Sequence, residues 1–123
     1  MGEVDRSRLG SEAEERCAAW LECAGYRICE RNWLEREGEL DIVAEHDGFL
    51  CFVEVRMRTS ARFGDPSLTV TYEKQRRVVR AALRYLQRRP ARGRMIRFDV
   101  MTVLGRGSGA VIEHLPGAFD AGM

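Results

Sequence analysis

Residues 38–58 read GELDIVAEHDGFLCFVEVRMR, two β-rich runs that meet at Asp47-Gly48, and the way these runs pair decides the fold. Asp-Gly is favoured in two-residue hairpin turns because both central residues take positive φ. The flanking runs, 39–46 and 49–57, have the aromatic and β-branched content of strands. A two-residue turn pairs His46 with Phe49, and that register sets Asp41 opposite Glu54 and Glu39 opposite Arg56. Strand alternation then predicts a charged face of Glu39, Asp41, Glu54 and Arg56, and an apolar face of Leu40, Ile42, Val53 and Val55.

Two acids directly opposed across a hairpin destabilise it, so Asp41 and Glu54, flanked by apolar residues, call for a compensating cation. Hard carboxylate oxygens suit Mg²⁺, which takes one or two protein carboxylates, keeps several waters and accepts phosphate oxygens. Such an ion positions and acidifies a water for attack on a phosphodiester. The alternative is a solvated strand face whose acids pair with nearby arginines.

Outward from the hairpin, Ser11 to Ala24 has helical spacing of Ala13, Cys17, Ala18, Trp20 and Leu21, stopped by Gly25. Tyr26 to Trp33 reads as a strand, and residues 58–72 as a long polar loop broken by Gly64 and Pro66. Glu73 to Arg89 reads as a second helix, with Val78, Val79, Ala82, Leu83 and Leu86 on one stripe and Arg77, Arg80, Arg84 and Arg88 on another. Residues 96–104 and 110–115 read as strands around a turn at Arg106 to Gly109. The order predicts one α/β domain with a mixed sheet flanked by helices, the second helix crossing over so that 96–104 returns parallel to its neighbour. Residues 1–8 read as a flexible N-terminus. Ser11-x-x-Glu14 fits a capping box, while Glu14 also lies on a core-facing edge from which it reaches the hairpin acids; both roles stay open.

At 123 residues and 45% hydrophobic content, without a long apolar run, the chain predicts a single core and no membrane span. The acidic first residues lack the segments of a signal peptide, which points to the cytoplasm. Four cysteines without a C-x-x-C pair, beside only two histidines, argue for free buried thiols over zinc. Residues 1–55 hold 6 Arg against 14 acids, whereas residues 56–106 hold 13 Arg and one Lys against 3 acids. That split suggests a polyanion-binding surface beside a carboxylate site, or else two ordinary solvated faces. Lys74 is the sole lysine.

An Asp followed about a dozen residues later by Glu-x-Lys/Arg on the adjacent strand, after a Glu-bearing helix, resembles the PD-(D/E)xK nuclease superfamily, the restriction-endonuclease-like fold that includes archaeal Holliday-junction resolvases. More closely, the chain resembles the YraN-like family of small bacterial proteins, described as candidate endonucleases. The motifs that carry this are Glu14 with Trp20-Leu21, Gly38-Glu39-Leu40-Asp41, Phe52-Val53-Glu54-Val55-Arg56, Gly64, Lys74, Arg97-Phe98-Asp99-Val100 and Ala118-Phe119. The resemblance implies a restriction-endonuclease-like fold, Asp41 and Glu54 as ligands of Mg²⁺ or Mn²⁺, and Glu14 as the helix acid. It sets Arg56 at the catalytic lysine position, and Glu39 behind the metal ligands as a partner of Arg56. An arginine stays protonated, so Arg56 orients and stabilises charge and does not take a proton. The implied partner is DNA, branched, flapped or single-stranded, and the resemblance allows a homodimer. Arg58, Arg62, Lys74, Arg77, Arg80 and Arg84 are the candidate phosphate contacts, with the solvated face as the ordinary reading of the helical arginines. A DNA-binding adaptor that keeps the fold but cleaves weakly is the rival function, and Arg56 is its support.

Overall fold

Asp47 and Gly48 take φ of 49° and 80°, so the turn that fixes the hairpin has the left-handed backbone its dipeptide favours. The computed structural model describes residues 6–58 and 70–121, with side chains from residue 10 onward. Helix α1 (Arg6–Cys23) is followed by strands β1 (Arg27–Leu34), β2 (Glu39–His46) and β3 (Phe49–Arg58). Helix α2 (Tyr72–Arg88) then leads to β4 (Met95–Leu104) and, after a short 3₁₀ turn at Gly107–Gly109, to β5 (Val111–Phe119). The five strands lie in the order in which they occur along the chain; β3 and β4 are parallel and every other neighbouring pair is antiparallel. Helix α2 is the crossover that makes the parallel pair possible. This mixed sheet with a helix on each face is the α/β arrangement that the order of elements predicts, and it is consistent with the restriction-endonuclease-like fold that the resemblance implies.

Two apolar layers hold it together. Ala13, Cys17, Ala18 and Leu21 of α1 pack on Ile42, Ala44, Cys51, Val53, Met101 and Val103. On the opposite face, Val78, Val79, Ala81, Ala82 and Tyr85 of α2 cover Leu40, Val43, Leu50, Phe52 and Phe98. Tyr85, unremarked in the helical stripe, is buried between Trp33 and Phe52 with edge-on ring contacts, whereas Leu83, assigned to that stripe, is 55% exposed. Cys17 and Cys51 are buried free thiols as expected; Cys23 is exposed and Cys29 half-buried.

Two expectations about α1 need correction. The helix begins at Arg6, so residues 6–8 of the segment read as a flexible N-terminus are helical, and Ser11 stands inside the helix where it cannot be its N-cap. The cap that does form is on α2, where the Thr71 side chain accepts the Lys74 backbone N–H at 3.2 Å. Of the loop expected over 58–72, Arg58 ends β3 and Tyr72 opens α2; its Arg62, Gly64 and Pro66 lie outside the described residues. No helix among the described residues is long and apolar enough to cross a membrane.

Candidate active site

The hairpin register holds from His46↔Phe49 up to Ile42↔Val53, and there the ladder ends. Asp41 and Glu54 are therefore not ladder partners, nor are Glu39 and Arg56, although β2 continues to pair with β1 as far as Leu34↔Glu39. At the opening, the Asp41 carboxylate accepts the Val55 backbone N–H at 2.9 Å. A side chain thus takes the acceptor role of a strand carbonyl, and the two strands part where two facing acids would repel. Alternation breaks at the same place: Leu40 packs in the layer under α2 and Ile42 in the layer under α1, not on one shared face.

This fork brings carboxylates together from three elements. Glu14 of α1 and Glu39 and Asp41 of β2 each offer an oxygen, all within 4.8 Å of one another. Glu39, expected behind the site beside Arg56, stands within this group. Glu54 of β3 is 4% exposed and adjoins Asp41 from the face covered by α2. From the first turn of α2, Lys74 approaches it, with Nζ 3.3 Å from Glu54 Oε1.

The electrostatics follow from burial and from like charges. Burial, with Asp41 close by, pushes the Glu54 carboxyl up to about 8 against the pull of Lys74 and Arg56. Burial and the neighbouring Asp41 and Glu39 raise Glu14 to about 7. Asp41 is also raised, again mainly by burial, while the Val55 N–H and Lys74 act to keep it charged. Three acids are thus held in a setting that resists their ionisation. Glu14, Glu39 and Asp41 offer carboxylate oxygens only, the set that suits a hard divalent cation such as Mg²⁺ or Mn²⁺.

Of the candidate phosphate contacts, Arg77 and Arg80 are exposed on α2. Arg84 is paired with Glu37 at 3.2 Å and Arg88 with Glu35 at 3.5 Å, so these two arginines tie α2 to the β1–β2 loop. Arg58 has a side chain only 8% exposed and paired with Glu113 of β5 at 2.5 Å. Arg62 lies outside the described residues. The contact between Lys74 and Glu54 was not read from the sequence, although the single lysine among so many arginines was its signal.

A second buried acid also escaped the reading. Asp99 accepts hydrogen bonds from Arg97 Nε and Nη2, both at 2.8 Å, and from the Gly117 N–H at 3.0 Å, and pairs with His114 Nε2 at 2.8 Å. Burial alone would raise it, yet His114, Arg97 and Gly117 outweigh burial and hold it down at about 2. Arg97 and Asp99 are two apart on one strand and so share a face, which was the available clue.

Comparison with known proteins bears on the whole chain. The model of the uncharacterised protein family UPF0102 matches residues 13–103. A UPF0102 protein of Myxococcus xanthus is 57% identical over 120 residues, covering 98% of this chain and 95% of that protein. Relatives of the same description from Geobacter metallireducens and Persephonella marina are 43% and 37% identical, covering 91% and 90% of this chain and 92% of each relative.

Proposed function

The chain belongs to the UPF0102 family, the YraN-like proteins, and we propose that it is a metal-dependent endonuclease that hydrolyses DNA phosphodiester bonds. The observation that carries this reading is the strand fork, where Asp41 stands within reach of Glu14 and Glu39 and beside Glu54, and where burial and like charge oppose the ionisation of Glu14, Asp41 and Glu54. A fold gains nothing in stability from such an arrangement, and a cation gains a site.

Asp41 and Glu54 would hold Mg²⁺ or Mn²⁺, with Glu14 and Glu39 beside them. Bound there, the ion would supply Lewis acidity to a phosphoryl oxygen and lower the pKa of an attacking water. The protein's own residues do the remaining work. Asp41 is fixed by the Val55 N–H, so its carboxylate has a set direction. Arg56, on the strand that carries Glu54, brings a permanent positive charge for the oxygens that become more negative as phosphorus is attacked. Arg77 and Arg80, exposed on α2, would meet backbone phosphates without reading bases. Selectivity for branched, flapped or single-stranded DNA comes from the likeness to the resolvases.

The test is cleavage of junction, flap and single-stranded DNA by wild type, Asp41→Asn and Glu54→Gln in Mg²⁺, Mn²⁺ or EDTA. Wild type should cut only with metal, and each substitution should slow cutting by roughly 100-fold or more while DNA binding survives. Binding without cutting by wild type on every substrate would instead identify a DNA-binding adaptor. Cutting that persists in both variants would place the chemistry elsewhere.

A further inference from the structure

Lys74 is the single lysine among 20 basic residues. Elsewhere on α2 every basic position is arginine, at 76, 77, 80, 84 and 88. General residue usage therefore does not explain lysine at 74. Helix electrostatics do not explain it either, because a cation in the first turn opposes the positive end of the macrodipole. What distinguishes the position is contact: Nζ lies 3.3 Å from Glu54 Oε1, with Glu54 nearly buried and the lysine side chain 41% exposed. The Thr71 cap fixes the backbone from which it reaches.

We propose that Lys74 is a positioning residue of the acidic fork, which holds Glu54 through a compact ammonium that a guanidinium cannot replace. An arginine there would bring a planar fork of donors that spans both oxygens of a carboxylate. An ammonium touches one oxygen and leaves the rest of the carboxylate for a cation. Lys74 thus has two opposed effects on the site. It competes with the incoming metal for Glu54 charge, and it sets the direction in which Glu54 presents its free oxygen. The cleavage consequence rests on the nuclease reading; the cation-binding consequence does not.

The experiment measures Mn²⁺ binding to the whole protein by calorimetry at pH 8.5, and single-turnover cleavage of flap DNA, for Lys74→Met and Lys74→Arg. Circular dichroism melts check that both variants fold. Lys74→Met should bind Mn²⁺ roughly 3- to 10-fold more tightly, since the internal counter-charge is gone, yet cleave roughly 30-fold or more slowly. Lys74→Arg keeps the charge but spans both Glu54 oxygens, so its Mn²⁺ affinity should fall roughly 3-fold or more and its cleavage roughly 10-fold or more. Ethylammonium added to Lys74→Ala should restore part of the rate, and guanidinium ions should not. Opposite movement of affinity and rate is a result that mere structural support would not produce. Unchanged or weaker Mn²⁺ binding by Lys74→Met, or full activity of Lys74→Arg, overturns the proposal. If wild type cuts nothing, the nuclease reading falls, and the Mn²⁺ comparison still decides the role of Lys74.

Discussion

Asp99 and Glu54 are both buried carboxylates, on adjacent parallel strands and 0% and 4% exposed, yet they are treated in opposite ways. Asp99 is surrounded by donors: a bidentate arginine, an imidazole and a backbone N–H from the β5 bulge. Its charge is welcome, and its carboxyl sits at about 2. Glu54 faces a second acid with only Lys74 and Arg56 to oppose it, and burial with Asp41 drives it to about 8. Burying a charge is costly unless it is paired and hydrogen-bonded. Asp99 meets that condition within the protein and serves as a structural clamp for β5. The fork around Glu54 does not, and that difference is the ground for the proposed cation site.

Breaking the satisfied acid should have the largest effect. Asp99→Asn leaves Arg97 and His114 facing a neutral amide in a closed space, and breaking a buried ion pair costs roughly 3–5 kcal/mol. Thermal melts should fall by roughly 10–20 °C, and the near-ultraviolet signal of Trp20, whose ring meets His114 edge-on at 5.5 Å, should change with them. The pH dependence has a definite sign. Because the folded pKa lies below the ordinary 3.8, the Asp99 contribution is present above that value and is lost as pH falls toward about 2. A loss below about 1 kcal/mol would mean that the clamp is not the strong point it is taken to be.

Relieving the unsatisfied acid should work the other way. Glu54 has a folded pKa of about 8 against an ordinary 4.5, so the folded protein holds this proton where the unfolded chain has lost it. Stability therefore declines as pH rises between those values. Glu54→Gln, which keeps the shape and removes the charge, should stabilise the metal-free protein by roughly 2 kcal/mol at pH 8.5 and have almost no effect at pH 4.5. Denaturant titrations at the two pH values provide the check, and destabilisation at pH 8.5 would show that Glu54 is a structural partner of Lys74 like Asp99 is of Arg97. A smaller effect is expected from Thr71→Ala, which removes the cap below Lys74 and should cost about 1 kcal/mol. An unchanged melt would mean that the α2 terminus is held by other contacts.

The comparison also explains which parts could be read from the sequence. The Asp47-Gly48 turn and the alternation of β3 specify the register near the turn, and both strands appear as expected. The ladder stops at Ile42 because the acids that make the site interesting are the ones that strand pairing rejects, and period-two reasoning has no way to represent that rejection. Glu39 joins Glu14 and Asp41 through this irregularity, so its place was not accessible from spacing. The Asp99 clamp needs Gly117, eighteen residues away, brought in by a bulge between Phe98 and Val100, and no local pattern announces it. Ser11 mimics a capping box, but the helix has already started at Arg6, and motif matching without the preceding turn assigns the wrong terminus.

The central claim, that the fork is an unsatisfied cation site, is tested most directly by thermal melts of the metal-free protein with and without Mn²⁺ or Mg²⁺ from pH 6 to 8.5. A ligand that binds only the folded state raises the melting temperature, and carboxylates bind a cation only once they have lost their protons. With Glu14 at about 7 and Glu54 at about 8, the stabilisation by metal should grow steadily across that range. It should vanish in the Asp41→Asn, Glu54→Gln double variant. A metal-induced shift that is absent at pH 8.5, or that survives in the double variant, would contradict the account.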